Sequence, residues 1–278
     1  MAAQNLNQVF DRTGTIRRPS VLLTLREALS VFSSCPPAPD PAELPNGRGH
    51  VVLLVPAWFT TDAVTLPLRL FLNACGYRAF GWGLGVNWGP TPRLVTNLRR
   101  RLAELRAIEG GPVSVVGLSL GGLFARDLAH QCPDDVRQVI TIASPFHLPT
   151  ATMLEPVIQF CALCYSPAID VARLGSPLAM PSVAIYTRQD GIVAWESCRN
   201  DDCTAIEVEG THFATCRNPD VFRAVAQQLS EQATRMPMGS GPSVRCSGRA
   251  FVRPEASHRE AAHAVWPDTP PGSDCRRC

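Results

Sequence analysis

Short apolar runs alternate with helix-like segments between residues 50 and 233 of this chain. The apolar runs have the length of buried strands and lie at 50–55, 77–82, 112–117, 136–142, 182–187 and 203–209. Between them, apolar residues recur at helical spacing over 66–75, 92–108, 123–130 and 219–232. Because parallel strands are joined by long crossovers, usually helical, this alternation predicts an α/β fold with a mainly parallel sheet covered by helices on both faces.

The segments on either side of this region differ from it in composition. Residues 1–46 are interpreted as a leader with one helix over 21–32, followed by a Pro-rich connection. Residues 236–278 are rich in Pro, Gly, Ser and Arg without an apolar period, so we expect a mostly disordered tail. The chain of 278 residues is therefore predicted to hold one α/β domain over 47–235.

Charge and hydropathy limit the partners that we expect. The formal net charge of +2 gives no electrostatic case for binding nucleic acid. No apolar run reaches the roughly 18–20 residues that cross a bilayer, and the polar start lacks a signal-peptide core, so we expect a cytoplasmic location. The run Arg99, Arg100 and Arg101 is interpreted as the solvated face of a helix rather than as an anion site. The sequence leaves the oligomeric state open.

Eleven cysteines are scattered along the chain. Two C-x-x-C pairs have spacing that is able to bind zinc, and they are Cys161 with Cys164 and Cys275 with Cys278. One pair lies in an apolar stretch and the other at the end of the chain, so buried or free thiols are favoured over a zinc site. A disulfide between Cys198 and Cys216 is a further alternative, although a reducing cytosol favours free thiols there too.

The segment GLSLGG at 117–122 has the pattern G-x-S-x-G between a strand-like run and a helical pattern. In this context the pattern is typical of a nucleophile elbow, in which a sharp turn presents the serine at the end of a strand. Gly117 and Gly121 avoid collisions at such a turn, and Gly122 lets the helix pack closely on the sheet. Ser119 is therefore the candidate nucleophile, and the alternative is a structural glycine turn that happens to contain a serine.

A serine hydroxyl becomes a strong nucleophile only when a base takes its proton and a carboxylate orients that base. With an elbow of this kind, the chain order is Ser, then Asp or Glu, then His. Asp190 follows the run at 182–187 and His212 follows the run at 203–209, so both are expected at the carboxyl ends of strands, near Ser119. The weaker alternatives are Asp170, Asp201, Asp202, His50, His130 and His147.

Two backbone N–H groups are expected to stabilise the negative oxygen that forms when a serine attacks a carbonyl. Leu120 follows the serine at the start of a helix, where unpaired N–H groups and the helix dipole favour a negative charge. The second donor is expected in the loop after the first strand, VPAWFTTD at 55–62. Trp58 is the first candidate in that loop and Phe59 the next.

The chain resembles the α/β-hydrolases of the lipase/esterase type in several segments that occur in the same order. The matching segments lie within about residues 50–233 and read LLVPAWFTTD, GYRAFGWGLGVNWGP, VVGLSLGGLFARDLA, ITIASPF, IYTRQDGIVAW and VEGTHF. This resemblance implies the α/β-hydrolase fold and a hydrolase that acts through an acyl-enzyme. It implies Ser119 as nucleophile, His212 as general base and acid, Asp190 as the group that orients it, and Trp58 and Leu120 as oxyanion donors.

Two features depart from the usual pattern of that family. Ala57 stands where relatives usually have glycine, and its Cβ is able to shift the oxyanion loop. The two leading antiparallel strands that are common in the fold are not evident, since residues 21–32 have helical spacing. A smaller, mainly parallel sheet is therefore expected.

Residues 145–181 separate the fourth and fifth apolar runs, where the fold commonly carries a cap, and we expect a small helical cap there. The stretch is largely apolar, which predicts a hydrophobic acyl group and hence a small-molecule or lipid-like ester as substrate. Phe59, Phe146 and Trp195 are the candidate substrate-binding residues, and packing of the cap on the body is an equally good interpretation of each. No metal or organic cofactor is expected, because the serine chemistry supplies its own nucleophile and base.

Three functions agree with this sequence. A carboxylic-ester hydrolase is favoured. The alternatives are an acyltransferase with the same triad, in which an alcohol replaces water, and a catalytically idle binding protein with this fold. The presence of Ser119, Asp190 and His212 in the required order favours an enzyme, because an idle fold has no chemical need for all three.

Overall fold

The structure is a computed structural model that describes residues 16–30, 36–147, 150–155, 168–170 and 173–235. The tail at 236–278, the middle of the cap at 156–167 and both C-x-x-C pairs fall outside these residues. The disorder of the tail, the helical cap and the zinc alternative therefore stay predictions, as does the division of the chain into leader, domain and tail.

Six strands form one sheet in which every neighbouring pair is parallel. The order across the sheet is β2-β1-β3-β4-β5-β6. The strands are β1 Val51–Val55, β2 Arg78–Gly81, β3 Val113–Leu118, β4 Val136–Ile142, β5 Ser182–Tyr186 and β6 Thr204–Glu207. Each strand coincides with one predicted run to within two residues at either end, so the parallel sheet is confirmed. In the described part of the chain, no antiparallel strand precedes β1.

Helices cover both faces of the sheet, as predicted. The longer described helices are α1 Val21–Ser30, α2 Asp62–Ala74, α3 Pro92–Glu109, α4 Leu120–Gln131 and α5 Pro219–Arg235. On one face, α2 and α5 pack over a core that contains Leu54 and Leu72. On the other face, α3 and α4 pack over a core that contains Leu53 and Leu102. Leu53 and Leu54 are adjacent, so their side chains point to opposite faces of β1 and both are fully buried.

The helix α2 begins four residues before the predicted start at residue 66. Thr61 precedes it in an extended conformation, and its side chain accepts a hydrogen bond from the N–H of Ala63 at 3.3 Å. Asp62 adds a negative charge to the first turn, where the helix dipole favours it. With this earlier start, Pro67 lies inside the helix.

The structure also bears on the expected partners. Arg100 lies 4.0 Å from the carboxylate of Glu104 with a side chain that is 70% exposed, in agreement with a solvated helix face. Arg101 is also 3.2 Å from Glu104, but its side chain is partly buried and its guanidinium lies 5.8 Å from the centre of the Phe80 ring. Across the described residues, no helix is both long enough and apolar enough to cross a membrane.

The five cysteines in the described ranges form no disulfide with one another, and they are Cys75, Cys132, Cys198, Cys203 and Cys216. The disulfide between Cys198 and Cys216 is therefore absent from this structure. Burial raises the pKa of the Cys198 thiol well above its ordinary value, which keeps it protonated. Within the same ranges, no cluster of three or more His, Cys, Asp and Glu side chains has the arrangement of a metal site.

Candidate active site

Ser119 lies in a sharp turn between β3 and α4, at the carboxyl edge of the sheet. Its backbone has φ 49° and ψ −118°, which non-glycine residues adopt rarely and at a cost of about 1–3 kcal/mol. The N–H of Ser119 donates to the carbonyl of Ile142 at 2.8 Å, and the N–H of Gly122 donates to the carbonyl of Ser119 at 2.9 Å. These two hydrogen bonds hold the Ser119 turn (residues 117–122) in its strained conformation.

The glycines of the Ser119 turn are packed too closely for a side chain. A Cβ on Gly117 would overlap the backbone at the start of α4, and a Cβ on Gly121 would overlap the carbonyl of Val55 at the end of β1. A Cβ on Gly122 would overlap the side chain of Ser144, which follows β4. The first turn of α4 therefore lies directly against the ends of neighbouring strands, in agreement with the steric role that the pattern predicts.

We expect Gly121→Ala to lower the free energy of unfolding by about 1–3 kcal/mol, because the new methyl group must displace backbone atoms. Gly111→Ala is the matched control, since no atom lies within 4 Å of its added Cβ. That variant is expected to stay within about 0.5 kcal/mol of wild type. Urea unfolding of both variants measures the difference, and equal stability would contradict the close approach at Gly121.

The structure brings Ser119, His212 and Asp190 into one hydrogen-bonded chain. The Nε2 atom of His212 lies 3.1 Å from the Oγ of Ser119, and its Nδ1 atom lies 2.6 Å from the Oδ2 of Asp190. Asp190 and His212 are buried, with 3% and 8% of their surface exposed, whereas Ser119 is more accessible. The Asp190 loop (residues 187–194) follows β5, and the His212 loop (residues 208–213) follows β6. Because the strands are parallel, all three residues lie at one edge of the sheet.

Backbone N–H groups fix the orientation of the Asp190 carboxylate. Its Oδ1 atom accepts hydrogen bonds from the N–H groups of Ile192 and Val193, both at 2.8 Å. Its Oδ2 atom is left to accept from Nδ1 of His212. With the proton on Nδ1, the Nε2 atom of His212 has a free lone pair directed at the hydroxyl of Ser119. The arrangement is able to remove the serine proton.

The surroundings of His212 favour its protonated form. Burial by itself lowers the pKa of the imidazole, because charge is costly away from water. The charge and hydrogen bond of Asp190 and the charge of Glu27 outweigh that effect and raise the pKa above its ordinary value of 6.5. An imidazolium at this position is therefore stabilised after it takes a proton.

Backbone N–H groups beside Ser119 are the candidate oxyanion donors. The N–H of Leu120 is the first of α4 and donates to no other described residue, so it is available to a ligand. The N–H of Trp58 is likewise without an acceptor among the described residues. The N–H of Phe59 donates to the carbonyl of Asn87 at 2.8 Å, so the expectation that Phe59 is the next candidate donor is not supported.

Asn87 is a fully buried residue that holds the Trp58 loop (residues 55–61), and the sequence pattern does not predict this role. Its side-chain amide donates to the carbonyl of Pro56 at 2.8 Å, and its backbone pairs with Phe59 and Thr60, each at 2.8 Å. These bonds tie the loop down around Ala57, the residue that departs from the family pattern. Only an asparagine in a Gly-rich stretch hinted at a turn there.

Aromatic side chains continue outward from the Trp58 loop. The ring of Phe59 stacks on that of Trp58 at 4.5 Å and meets Trp88 edge-on at 5.8 Å. Phe59 and Trp88 are 50% and 59% exposed, so both offer apolar surface to a ligand. Phe213, which follows His212 in the chain, is also exposed.

The rings of the other two candidate substrate-binding residues, Phe146 and Trp195, contact other side chains of the protein. Phe146 is fully buried in the core beneath α4, and the guanidinium of Arg126 lies 4.1 Å above its ring. Trp195 is covered by the ring of Tyr186 at 5.7 Å and by the guanidinium of Arg188 at 4.5 Å. These contacts favour packing, the alternative interpretation of both side chains.

A second Ser-His-carboxylate contact lies elsewhere in the sheet. Nε2 of His50 is 2.8 Å from the Oγ of Ser114, and Nδ1 is 2.5 Å from Oε1 of Glu109. Ser114 lies within β3 and is fully buried, so no substrate reaches it. Desolvation lowers the pKa of His50, in contrast to the raised pKa of His212. The contact is therefore a structural one, and it provides an internal comparison for the Ser119 site.

A buried carboxylate that the sequence pattern does not predict lies behind the site. Glu27 of α1 accepts hydrogen bonds from the backbone N–H groups of Gly191, His212 and Phe213. Nothing in the pattern of residues 21–32 distinguishes this glutamate from a solvent-exposed one. Its buried position results from the packing of α1 on the Asp190 loop and the His212 loop.

Comparison with known proteins concerns the fold of the chain. The sequence matches no family model and no curated protein. Two solved structures of similar fold are Est1E from Butyrivibrio proteoclasticus with bound ferulic acid and the mature lipase BlEst2 from Bacillus licheniformis. The first is 14% identical, covers 68% of this chain and 91% of its own, and has a TM-score of 0.53. The second is 14% identical, covers 70% of this chain and 96% of its own, and has a TM-score of 0.52.

Both neighbours are matched over nearly their whole length, and the identity is low enough that the likeness concerns architecture alone. The parallel sheet with helices on both faces agrees with such a fold. The chain therefore has the α/β-hydrolase fold.

Proposed function

We propose that this chain is a serine hydrolase that cleaves carboxylic esters through an acyl-enzyme. The observation that carries the proposal is the hydrogen-bonded chain from Ser119 through His212 to Asp190, with the serine held in a strained turn at the sheet edge. Such a chain supplies a base for the nucleophile and an orienter for the base. The free N–H at the start of α4 supplies an electrostatic partner for the oxyanion.

The first half-reaction forms the acyl-enzyme. The Oγ of Ser119 attacks the ester carbonyl while Nε2 of His212 takes the hydroxyl proton. The carbonyl oxygen becomes negative and accepts hydrogen bonds from the N–H groups of Leu120 and Trp58. The tetrahedral intermediate collapses, the bond to the alkoxy oxygen breaks, and His212 returns its proton to the departing alcohol.

The second half-reaction releases the acid. His212 takes a proton from water, the resulting hydroxide attacks the acyl carbonyl, and the bond to the serine oxygen breaks with return of the proton to Ser119. Asp190 keeps the imidazole in the tautomer that accepts at Nε2 and stabilises the imidazolium in both steps. An alcohol in place of water would give acyl transfer, which product analysis with added alcohols detects.

The substrate that we propose carries a hydrophobic acyl or aromatic group. Phe59 and Trp88 present exposed rings next to the Trp58 loop, and Phe213 does so next to His212. Est1E, whose solved structure holds ferulic acid, binds an aromatic acid on the same fold. Phe59 is the substrate-binding residue that we retain from the sequence prediction, since its ring is both exposed and held in place by stacking on Trp58.

Hydrolysis of a series of p-nitrophenyl esters, from short to long and aromatic acyl groups, tests the proposal. We expect burst kinetics and an acyl adduct on the peptide that contains Ser119, found by mass spectrometry after acid quench. The acid limb of kcat/KM should have its midpoint above pH 6.5, because the free enzyme needs neutral His212 and its pKa is raised. Folded protein that neither turns over any ester nor forms an adduct would contradict the proposal.

A further inference from the structure

The helix α1 packs on the rest of the protein with most of its large apolar side chains exposed and a glutamate buried. Four of its five large apolar side chains face outward, with exposed fractions of 70% for Val21, 77% for Leu22, 59% for Leu25 and 71% for Leu29. Glu27 is the buried residue of α1, with 1% of its surface exposed. A charged group loses its hydration when it is buried, so Glu27 needs compensating partners in the protein.

Those partners belong to both loops of the candidate site. Oε1 of Glu27 accepts hydrogen bonds from the N–H of Gly191 at 2.8 Å and from the N–H of His212 at 2.6 Å. Oε2 accepts from the N–H of Phe213 at 3.0 Å. Gly191 directly follows Asp190, so one carboxylate joins the loop that holds the acid to the loop that holds the base.

Close backbone packing supports this connection. The hydroxyl of Thr24 donates to the carbonyl of Gly191 at 2.9 Å, one helical turn before Glu27. A Cβ on Gly191 would overlap the backbone carbonyl of Leu23 and approach the side chain of Glu27. Glycine is needed at 191 for space, because α1 lies directly on it.

The negative charge of Glu27 is not neutralised by a cation. Within the described part of the chain, Glu27 forms no salt bridge, and its partners are all neutral N–H groups. Both Glu27 and His212 are buried, where screening by water is weak. The charge therefore acts on the imidazole together with that of Asp190.

We infer that Glu27 is a positioning residue of this hydrolase, a role that rests on the proposed function. Its carboxylate fixes the Asp190 loop and the His212 loop relative to each other, and its charge stabilises the imidazolium that His212 becomes during catalysis. The leader helix is thus part of the active-site architecture, although it touches no reacting atom.

Charged groups on the other elements around the His212 loop have partners of their own. On α2, the Asp62 carboxylate accepts from two backbone N–H groups after β2, and Arg69 donates to the Asp62 carbonyl. On α5, Asp220 pairs with Arg223 at 2.9 Å. Three further charged side chains line an open surface cavity of about 540 Å³, and they are Glu209, Arg217 and Arg26. Asp190 and Glu27 are the charged groups that act on His212 from within the protein.

Glu27→Gln tests this role. The glutamine amide keeps one acceptor oxygen but sets its own N–H donors against a backbone N–H. The Asp190 loop and the His212 loop therefore shift. The substitution also removes the negative charge. We expect kcat/KM for the best p-nitrophenyl ester to fall by about 10²-fold. The acid limb of its pH profile should move to lower pH, because the pKa of His212 falls when a nearby negative charge is removed. A purely structural role would lower the plateau of the profile without moving the limb.

Glu109→Gln is the matched control, because Glu109 also binds a histidine and a backbone N–H, that of Val51 at 3.1 Å. It contacts His50 rather than His212, so it should leave the acid limb in place. Gly191→Ala is the second variant, which displaces the carboxylate of Glu27 without removing its charge from the chain. It is expected to lower kcat/KM and to move the limb in the same direction. Thermal unfolding of each variant reports whether it is folded at the assay temperature.

Titration of the His212 imidazole by NMR with isotope-labelled histidine gives a readout that does not depend on turnover. The His212→Gln variant assigns the signal. We expect the His212 pKa to be lower in Glu27→Gln than in wild type and unchanged in Glu109→Gln. An unchanged His212 titration and an unmoved acid limb in folded Glu27→Gln would overturn the inference. If the wild-type protein turns over no ester but Glu27→Gln still lowers the His212 pKa, the effect of Glu27 on His212 is supported and the proposed hydrolase function is rejected.

Discussion

Replacing Ser119 with alanine is expected to lower kcat for ester hydrolysis by about 10⁶-fold, to the level left by binding and the oxyanion donors. The Oγ of Ser119 is the atom that lies 3.1 Å from Nε2 of His212, and no acyl-enzyme forms without it. The N–H of Leu120 and the strained backbone of the turn do not depend on the hydroxyl, so the variant should fold normally. Single-turnover assays with the best p-nitrophenyl ester measure the residual rate.

Ser114→Ala is the matched control for Ser119→Ala, since the Oγ of Ser114 also lies within hydrogen-bond distance of a histidine, His50. Removing its hydroxyl leaves the buried Nε2 atoms of His50 and Gln138 without a partner. This is expected to cost about 1–3 kcal/mol of stability while kcat stays close to the wild-type value. Comparable activity of Ser119→Ala and Ser114→Ala would mean that Ser119 is only a serine in a glycine turn.

The contrast between the two serines shows what makes a Ser-His-carboxylate contact useful. Distances between the groups are similar at Ser114 and Ser119. Ser114 lies within a buried strand, whereas Ser119 lies past the end of the same strand, where the chain turns sharply and an unpaired N–H follows. Accessibility and the oxyanion donor, rather than the contact itself, separate a reactive site from a packing interaction.

The sequence predicts the sheet and the meeting of Ser119, Asp190 and His212 for a physical reason. Parallel strands bring their carboxyl ends to one edge, so residues that follow different strands meet without any knowledge of side-chain packing. Apolar runs of strand length locate those ends to within two residues. The three positions could therefore be predicted from the order of runs along the chain.

Other parts of the site depend on contacts that no local pattern encodes. Helical spacing in residues 21–32 indicates an amphipathic helix but does not say which face docks, and the structure exposes Leu25 and Leu29 while it buries Glu27. Phe146 follows β4 as a loop residue in sequence, yet it is covered by Arg126 from α4. These outcomes are set by tertiary packing between elements that are far apart in the chain.

Replacing Asp190 with asparagine is expected to lower kcat by about 10⁴-fold, although the change in shape is minimal. An asparagine has one acceptor oxygen, and the N–H groups of Ile192 and Val193 both require an acceptor at the Oδ1 position. The reverse orientation would set the amide N–H groups against two donors. The amide nitrogen is therefore held toward His212, where the carboxylate oxygen Oδ2 had accepted from Nδ1.

This orientation forces His212 into the tautomer that cannot serve as a base. Nδ1 must accept from the asparagine amide, so the single proton of the neutral ring moves to Nε2 and faces the hydroxyl of Ser119. Asp62→Asn is the control, because its carboxylate also accepts from two backbone N–H groups after a strand but has no histidine partner. That variant should lose about 1–3 kcal/mol of stability and keep most of its activity. If both variants lose the same small fraction of kcat, Asp190 serves only to hold its loop, and another group must orient His212.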